Sequence, residues 1–72
     1  MWLDEYYPVG MEVSAADVDG EMKDGTITTH TCGMQGEPTG LIVRFDDGSW
    51  NEYECSFLDE TGNYANSYVA KK

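Results

Sequence analysis

Residues 41–57, LIVRFDDGSWNEYECSF, alternate apolar and polar side chains on both sides of one Asp-Asp-Gly step. A period of two places alternate side chains on opposite faces of a strand, and a helix cannot satisfy it. In the first run Leu41, Val43 and Phe45 share a face, and Ile42 and Arg44 take the other. Asp46-Asp47-Gly48 supplies the turn, because Asp and Gly tolerate the backbone angles that tight hairpins need. In the second run, Ser49 to Phe57, one face holds Tyr53, Cys55 and Phe57, and the other holds Trp50, Glu52 and Glu54. A tryptophan among carboxylates therefore falls on the face expected to meet water. Either that face has a partner, or the indole covers a small core.

The rest of the chain follows the same rule. No window of 11 residues sustains an i, i+3, i+4 apolar pattern, and eight glycines punctuate the sequence. A first strand is expected from Met11 to Ala15 or Ala16, with Met11, Val13 and Ala15 on one face. A second runs from about Gly25 to Thr31, where the β-branched Thr26-Ile27-Thr28-Thr29 run resists helix. Between them either Asp-Gly pair, 19–20 or 24–25, can form a tight turn. A short fifth strand is expected near the end, through Tyr68 and Ala70 or through Val69. Five short strands in 72 residues predict an all-β, strongly bent small barrel, since a flat sheet would leave an apolar face exposed. The expected core includes Val13, Ile27, Val43, Phe45, Tyr53, Cys55 and Phe57. Trp2, Tyr6 and Tyr7 at one end and Tyr64 and Tyr68 at the other are expected mostly to plug the barrel. Trp50 and Tyr6 or Tyr7 are the candidates for an exposed anchor.

Length and charge bound the function. The chain is read as one domain spanning residues 1–72, with a core of about 7–58. There are 14 Asp and Glu against 4 Lys and Arg, a formal net charge of -10. Two of the bases are the terminal Lys71 and Lys72, so the body sets its acids against Lys23 and Arg44 alone. Such a surface repels phosphates and anionic membranes and attracts basic proteins, basic peptides or cations; acidity that serves only solubility is the alternative. No apolar run approaches a membrane span, and MWLDEYYPVG lacks the basic and apolar regions of a signal peptide. A cytoplasmic protein is expected, with Cys32 and Cys55 as free thiols.

No catalytic or cofactor-binding set is complete. His30 and Cys32 share a face of the second strand, but zinc normally needs at least three protein ligands, and no nucleophile–base–orienter set forms around them. His30 is read as a surface residue. Asp17-Val18-Asp19-Gly20-Glu21 resembles a calcium loop until its twelfth position, which is Thr28 where a bidentate Glu is required. It is read as a solvated acidic turn. No cofactor, metal or enzymatic activity is expected, and direct nucleic-acid binding would need a basic stripe that Arg44 and Lys23 cannot provide.

Three segments resemble Tudor-like domains of the SH3-like small-barrel fold: YPVGMEVSA at 7–15, DGEMKDGTI at 19–27 and VRFDDGSWNEYECSFL at 43–58. The resemblance implies a five-stranded SH3-like barrel. It also implies a place for an aromatic cage that binds methylated Lys or Arg through cation–π attraction. Phe45 stands where one cage ring often lies. Met22 takes the place of a usual Trp or Tyr, and Asp47 that of a Tyr. Trp50 and Tyr53 are the rings available to substitute.

The reading that follows is a non-catalytic interaction module that binds a basic protein or peptide, a small regulator or inhibitor of phage or plasmid type. Its binding face is expected to comprise Trp50, Glu52 and Glu54, with Asp46 and Asp47 at the rim. A nucleic-acid mimic that blocks a DNA- or RNA-binding protein is the alternative, and a methyl-lysine or methyl-arginine reader a further one.

Overall fold

The computed structural model describes residues 2–72. After a one-turn helix α1 (Trp2–Tyr6) come β1 (Glu12–Ala16), β2 (Met22–Cys32), β3 (Pro38–Phe45) and β4 (Trp50–Glu54). Two 3₁₀ turns, Cys55–Phe57 and Tyr64–Asn66, lead to β5 (Val69–Lys71). The strands form one antiparallel sheet in the order β4-β3-β2-β1-β5. The fold is therefore all-β, with five strands as expected.

The sheet curls strongly. β4 and β1 are separated by two strands, so in a flat sheet they would lie about 14 Å apart at about 4.8 Å per strand. That is beyond the reach of one tyrosine, yet the Tyr53 hydroxyl donates to the Ala16 carbonyl. Two features bend the sheet. At Thr28 the pairing skips a residue, Ile27 opposing Val43 and Thr29 opposing Ile42, and such a bulge increases local bend and twist. At Gly25, which pairs with both Val13 and Phe45, a Cβ would come within 2.7 Å of the Arg44 carbonyl oxygen and of Val43. β2 and β3 pack there more closely than any side chain at Gly25 would allow. The edges β4 and β5 share no ladder, but Tyr68 bridges the gap between the ends of the sheet: its amide donates to the Phe57 carbonyl at 2.9 Å, and its carbonyl accepts from Ala16 at 3.0 Å.

The concave face carries the core: Val13, Ala15, Ile27, Leu41, Val43, Phe45, Tyr53 and Val69, closed by Leu3, Tyr7 and Leu58. Val13, Ile27, Val43, Phe45 and Tyr53 are buried as the alternation predicts. Cys55 and Phe57 are not. The fourth strand ends at Glu54, and the next three residues wind into a 3₁₀ turn closed by Leu58 N–H to Cys55 C=O at 3.1 Å. Three residues per turn replaces a period of two, so Leu58 enters the core, Cys55 is only half-buried and Phe57 turns outward at 43% exposure.

The terminal aromatics cover the core of the curled sheet in part. Tyr7 is fully buried, which removes it as an exposed anchor. Its ring meets Trp2 and Tyr64 edge-on at 6.1 and 5.6 Å, its hydroxyl bridges the backbone of Asp59, and Tyr64 donates to the Tyr6 carbonyl at 2.8 Å. Tyr68 is exposed instead, stacked on Phe57 at 5.2 Å. Helix α1 has no counterpart in the sequence reading. Its single turn buries only Leu3 and the following Tyr7, an i, i+4 pair, and Pro8 then excludes helix at the residue before it. His30, expected on the surface, lies under this turn with a side chain only 15% exposed; its Nδ1 is 3.1 Å from Asp4 and its Nε2 2.6 Å from the Tyr7 carbonyl oxygen.

Candidate functional site

The β3–β4 hairpin positions the predicted face. Phe45 N–H bonds to Ser49 C=O at 2.7 Å and Gly48 N–H to Phe45 C=O at 3.0 Å, with Gly48 at φ 91°. This is a turn followed by one left-handed residue, the position where glycine is needed. Asp47 fastens it: its Oδ1 accepts from the Ser49 hydroxyl at 2.6 Å and the Ser49 amide at 2.9 Å. Those two bonds hold the Asp47 carboxyl below the usual carboxylate range.

From this turn β4 runs with a strict alternation. Trp50, Glu52 and Glu54 are exposed, while Tyr53 is buried between them. The indole of Trp50 is 66% exposed and sits opposite Arg44 of β3; Glu52 sits opposite Ile42 and Glu54 opposite Gly40. Glu52 and Glu54 line an open groove of about 450 Å³ with Thr39, Cys55 and Ser56. The Cys55 thiol donates weakly to the Pro38 carbonyl at 3.7 Å, and burial pushes its pKa up, opposite to the activation a nucleophilic cysteine needs.

Asp46 and Asp47 open elsewhere. With Lys23, Asp24 and Phe45 they line a second groove of about 290 Å³ at the tip of the hairpin. The five predicted residues thus lie on one hairpin but in two places: Trp50, Glu52 and Glu54 along the outer face, Asp46 and Asp47 at the tip. The tip groove is lined by a single ring, Phe45, which is itself buried, and by the ammonium-bearing Lys23.

The neighbouring β1–β2 loop is not merely a solvated acidic turn. Asp17, whose side chain is only 8% exposed, accepts from the amides of Asp19 and Glu21 at 2.9 and 3.0 Å through Oδ1, and its Oδ2 lies 2.8 Å from Lys23 Nζ. Of the two Asp-Gly pairs, 19–20 makes the turn, with Gly20 at φ 82°, while Asp24 and Gly25 lie within β2. Among the described residues no group of three or more His, Cys, Asp or Glu side chains is placed to hold a metal ion, and no helix is long and apolar enough to cross a membrane. Cys32 and Cys55 are free thiols.

Sequence reasoning missed the exposed Phe57–Tyr68 stack beyond the end of β4. Its signal was faint: only the Ser56-Phe57-Leu58 order, with two apolar residues in succession, marks the loss of alternation.

Lys23 is paired with Asp17, and Lys72 with Asp24 at 3.1 Å. The hairpin's carboxylates face only one base of the hairpin itself, Arg44, which makes no ion pair among the described residues. The chain matches no protein-family model, no curated protein and no solved structure.

Proposed function

We propose that this chain is a non-catalytic interaction module, an SH3-like barrel of Tudor-like type, that binds a basic protein or peptide on the outer face of its β3–β4 hairpin. The observation that carries the reading is the exposed indole of Trp50 in line with the outward carboxylates of Glu52 and Glu54. An indole can stack on a guanidinium or ammonium while carboxylates hydrogen-bond it. The net charge of -10 steers a basic partner toward this face. The cage reading has less support, because the groove at the expected place offers one ring and already contains Lys23.

The test is capture of proteins from native lysate by the wild type and by a Glu52→Lys, Glu54→Lys double variant, with identification by mass spectrometry and a salt series. Basic proteins should be retained by the wild type at low salt and released as salt screens charges beyond about 8 Å near physiological strength. The double variant should melt like the wild type and retain none of them. Equal retention by both, or retention indifferent to salt, refutes the reading. Capture of nucleic-acid-binding proteins that compete with DNA or RNA would assign the same face to mimicry.

A further inference from the structure

The backbone of β4 makes the site more specific. Phe45 and Ser49 form a hydrogen-bonded pair at the turn. Antiparallel ladders alternate bonded and non-bonded pairs. Counting inward, Arg44–Trp50, Ile42–Glu52 and Gly40–Glu54 are the non-bonded pairs, whose N–H and C=O groups point away from the neighbouring strand. An independent contact agrees: the Glu52 amide donates to Oδ1 of Asn51 at 3.0 Å rather than to β3. β4 is an edge of the sheet. Among the described residues, the backbone of Trp50 has no partner on that side, the Glu52 amide is held only by its neighbour's side chain, and Glu54 keeps its amide there while its carbonyl caps the 3₁₀ turn Cys55–Phe57. The residues whose side chains form the exposed acidic face are thus the same residues whose backbones form the free edge.

Resting on the function proposed above, we infer that the partner binds as an added antiparallel β-strand on the edge of β4, through an extended segment with Lys or Arg at every second position. Residues directly opposite each other across a strand pair project to the same face. Partner residues opposite Glu52 and Glu54 would therefore place their side chains beside those carboxylates, with Trp50 flanking. The required spacing is i, i+2, because Glu52 and Glu54 are themselves two apart. Main-chain bonds would come from the amides and carbonyls of Trp50 and Glu52 and from the Glu54 amide, with the partner's carbonyl replacing Asn51 Oδ1 at the Glu52 amide. Charge decides the occupant. A second copy pairing through β4 would set Glu52 and Glu54 against their own counterparts, between two bodies of charge -10, and like charges across an edge oppose pairing. A basic strand meets the opposite sign at each of these positions.

Synthetic peptides test this, with affinity measured by calorimetry at low salt. The probe is acetyl-Thr-Lys-Thr-Lys-Thr-Lys-Thr-amide. The control, acetyl-Lys-Thr-Thr-Lys-Thr-Thr-Lys-amide, has the same composition and charge but no two lysines at i, i+2. The alternating peptide should bind up to about fivefold more tightly for each lysine–carboxylate pair across the strands that the control cannot form. N-methylation of the lysine amides, which face β4 in the added strand, should abolish binding, and N-methylation of the intervening threonines should leave it. Glu52→Gln and Glu54→Gln should each weaken the alternating peptide while leaving the melting curve in place. Equal affinity for both peptides, indifferent to N-methylation but lost in the glutamine variants, would overturn strand addition and leave the basic-partner reading standing. No binding of either peptide would overturn both. Self-association of the protein that the alternating peptide does not reverse would assign the edge to a second copy and overturn the inference.

Discussion

Replacing Trp50 by alanine separates an anchor from a core residue. Truncating a fully buried aromatic to alanine costs about 3–5 kcal/mol. The indole of Trp50 is 66% exposed, so about a third of that, roughly 1–1.5 kcal/mol, rests on its packing in the fold. In a domain of this size the loss lowers the melting temperature by roughly 5–10 °C. Against a basic ligand the same ring is placed as a hot spot, whose removal costs about 2 kcal/mol or more, about thirtyfold in Kd. Urea unfolding followed by circular dichroism gives the first quantity, and calorimetry with the alternating lysine peptide gives the second. A stability loss above about 3 kcal/mol would show that the indole is core after all. Peptide affinity unchanged within error would show that it is no anchor, and the outward tryptophan would then have only a structural role.

Three further outcomes follow from the packing. Val43→Asp places an unpaired carboxylate among fully buried side chains and should leave no cooperative melt; a near-wild-type transition in a thermal scan would contradict the core. Leu58→Ala should cost about 2–4 kcal/mol in urea unfolding and Phe57→Ala at most about half as much, because the 3₁₀ turn exchanges their places; the reverse order would restore the uninterrupted strand. Asp17 is held below its ordinary carboxyl pKa of 3.8 first by the Lys23 hydrogen bond, and also by the Glu21 and Asp19 amides. A folded value below the unfolded one gives stability that is fully present above the unfolded pKa and is lost as pH falls through the folded pKa. Asp17→Asn should therefore flatten the acid limb of the urea midpoint against pH below about pH 4 relative to wild type, and superimposable limbs would refute the role of this carboxylate.

The strands were legible in the sequence because each half-buried strand writes its own period of two. Val13, Val43, Phe45 and Tyr53 lie within runs of alternating apolar residues, and Ile27 within the β-branched Thr26-Ile27-Thr28-Thr29 run, so the local signal alone places them on strands. The outward set of Trp50, Glu52 and Glu54 follows from the same alternation, since nothing interrupts β4 between the turn and Glu54. The rest depended on contacts between segments distant in sequence. A one-turn helix buries too few residues to show a period, and α1 exists because Leu3 and Tyr7 find the open end of the curled sheet. Cys55 and Phe57 continue the written alternation, but the chain must leave β4 there to reach β5, and the 3₁₀ turn puts Leu58 in their place. His30 carries no mark of burial in its own segment; Asp4 and the Tyr7 carbonyl reach it only after folding. Asp46 and Asp47 are adjacent to the acidic strand in sequence, yet the turn directs them to the tip with Lys23. Which side of β4 stays unpaired is likewise a property of sheet order, because a strand's alternation sets the direction of its side chains and leaves its neighbours to the tertiary fold.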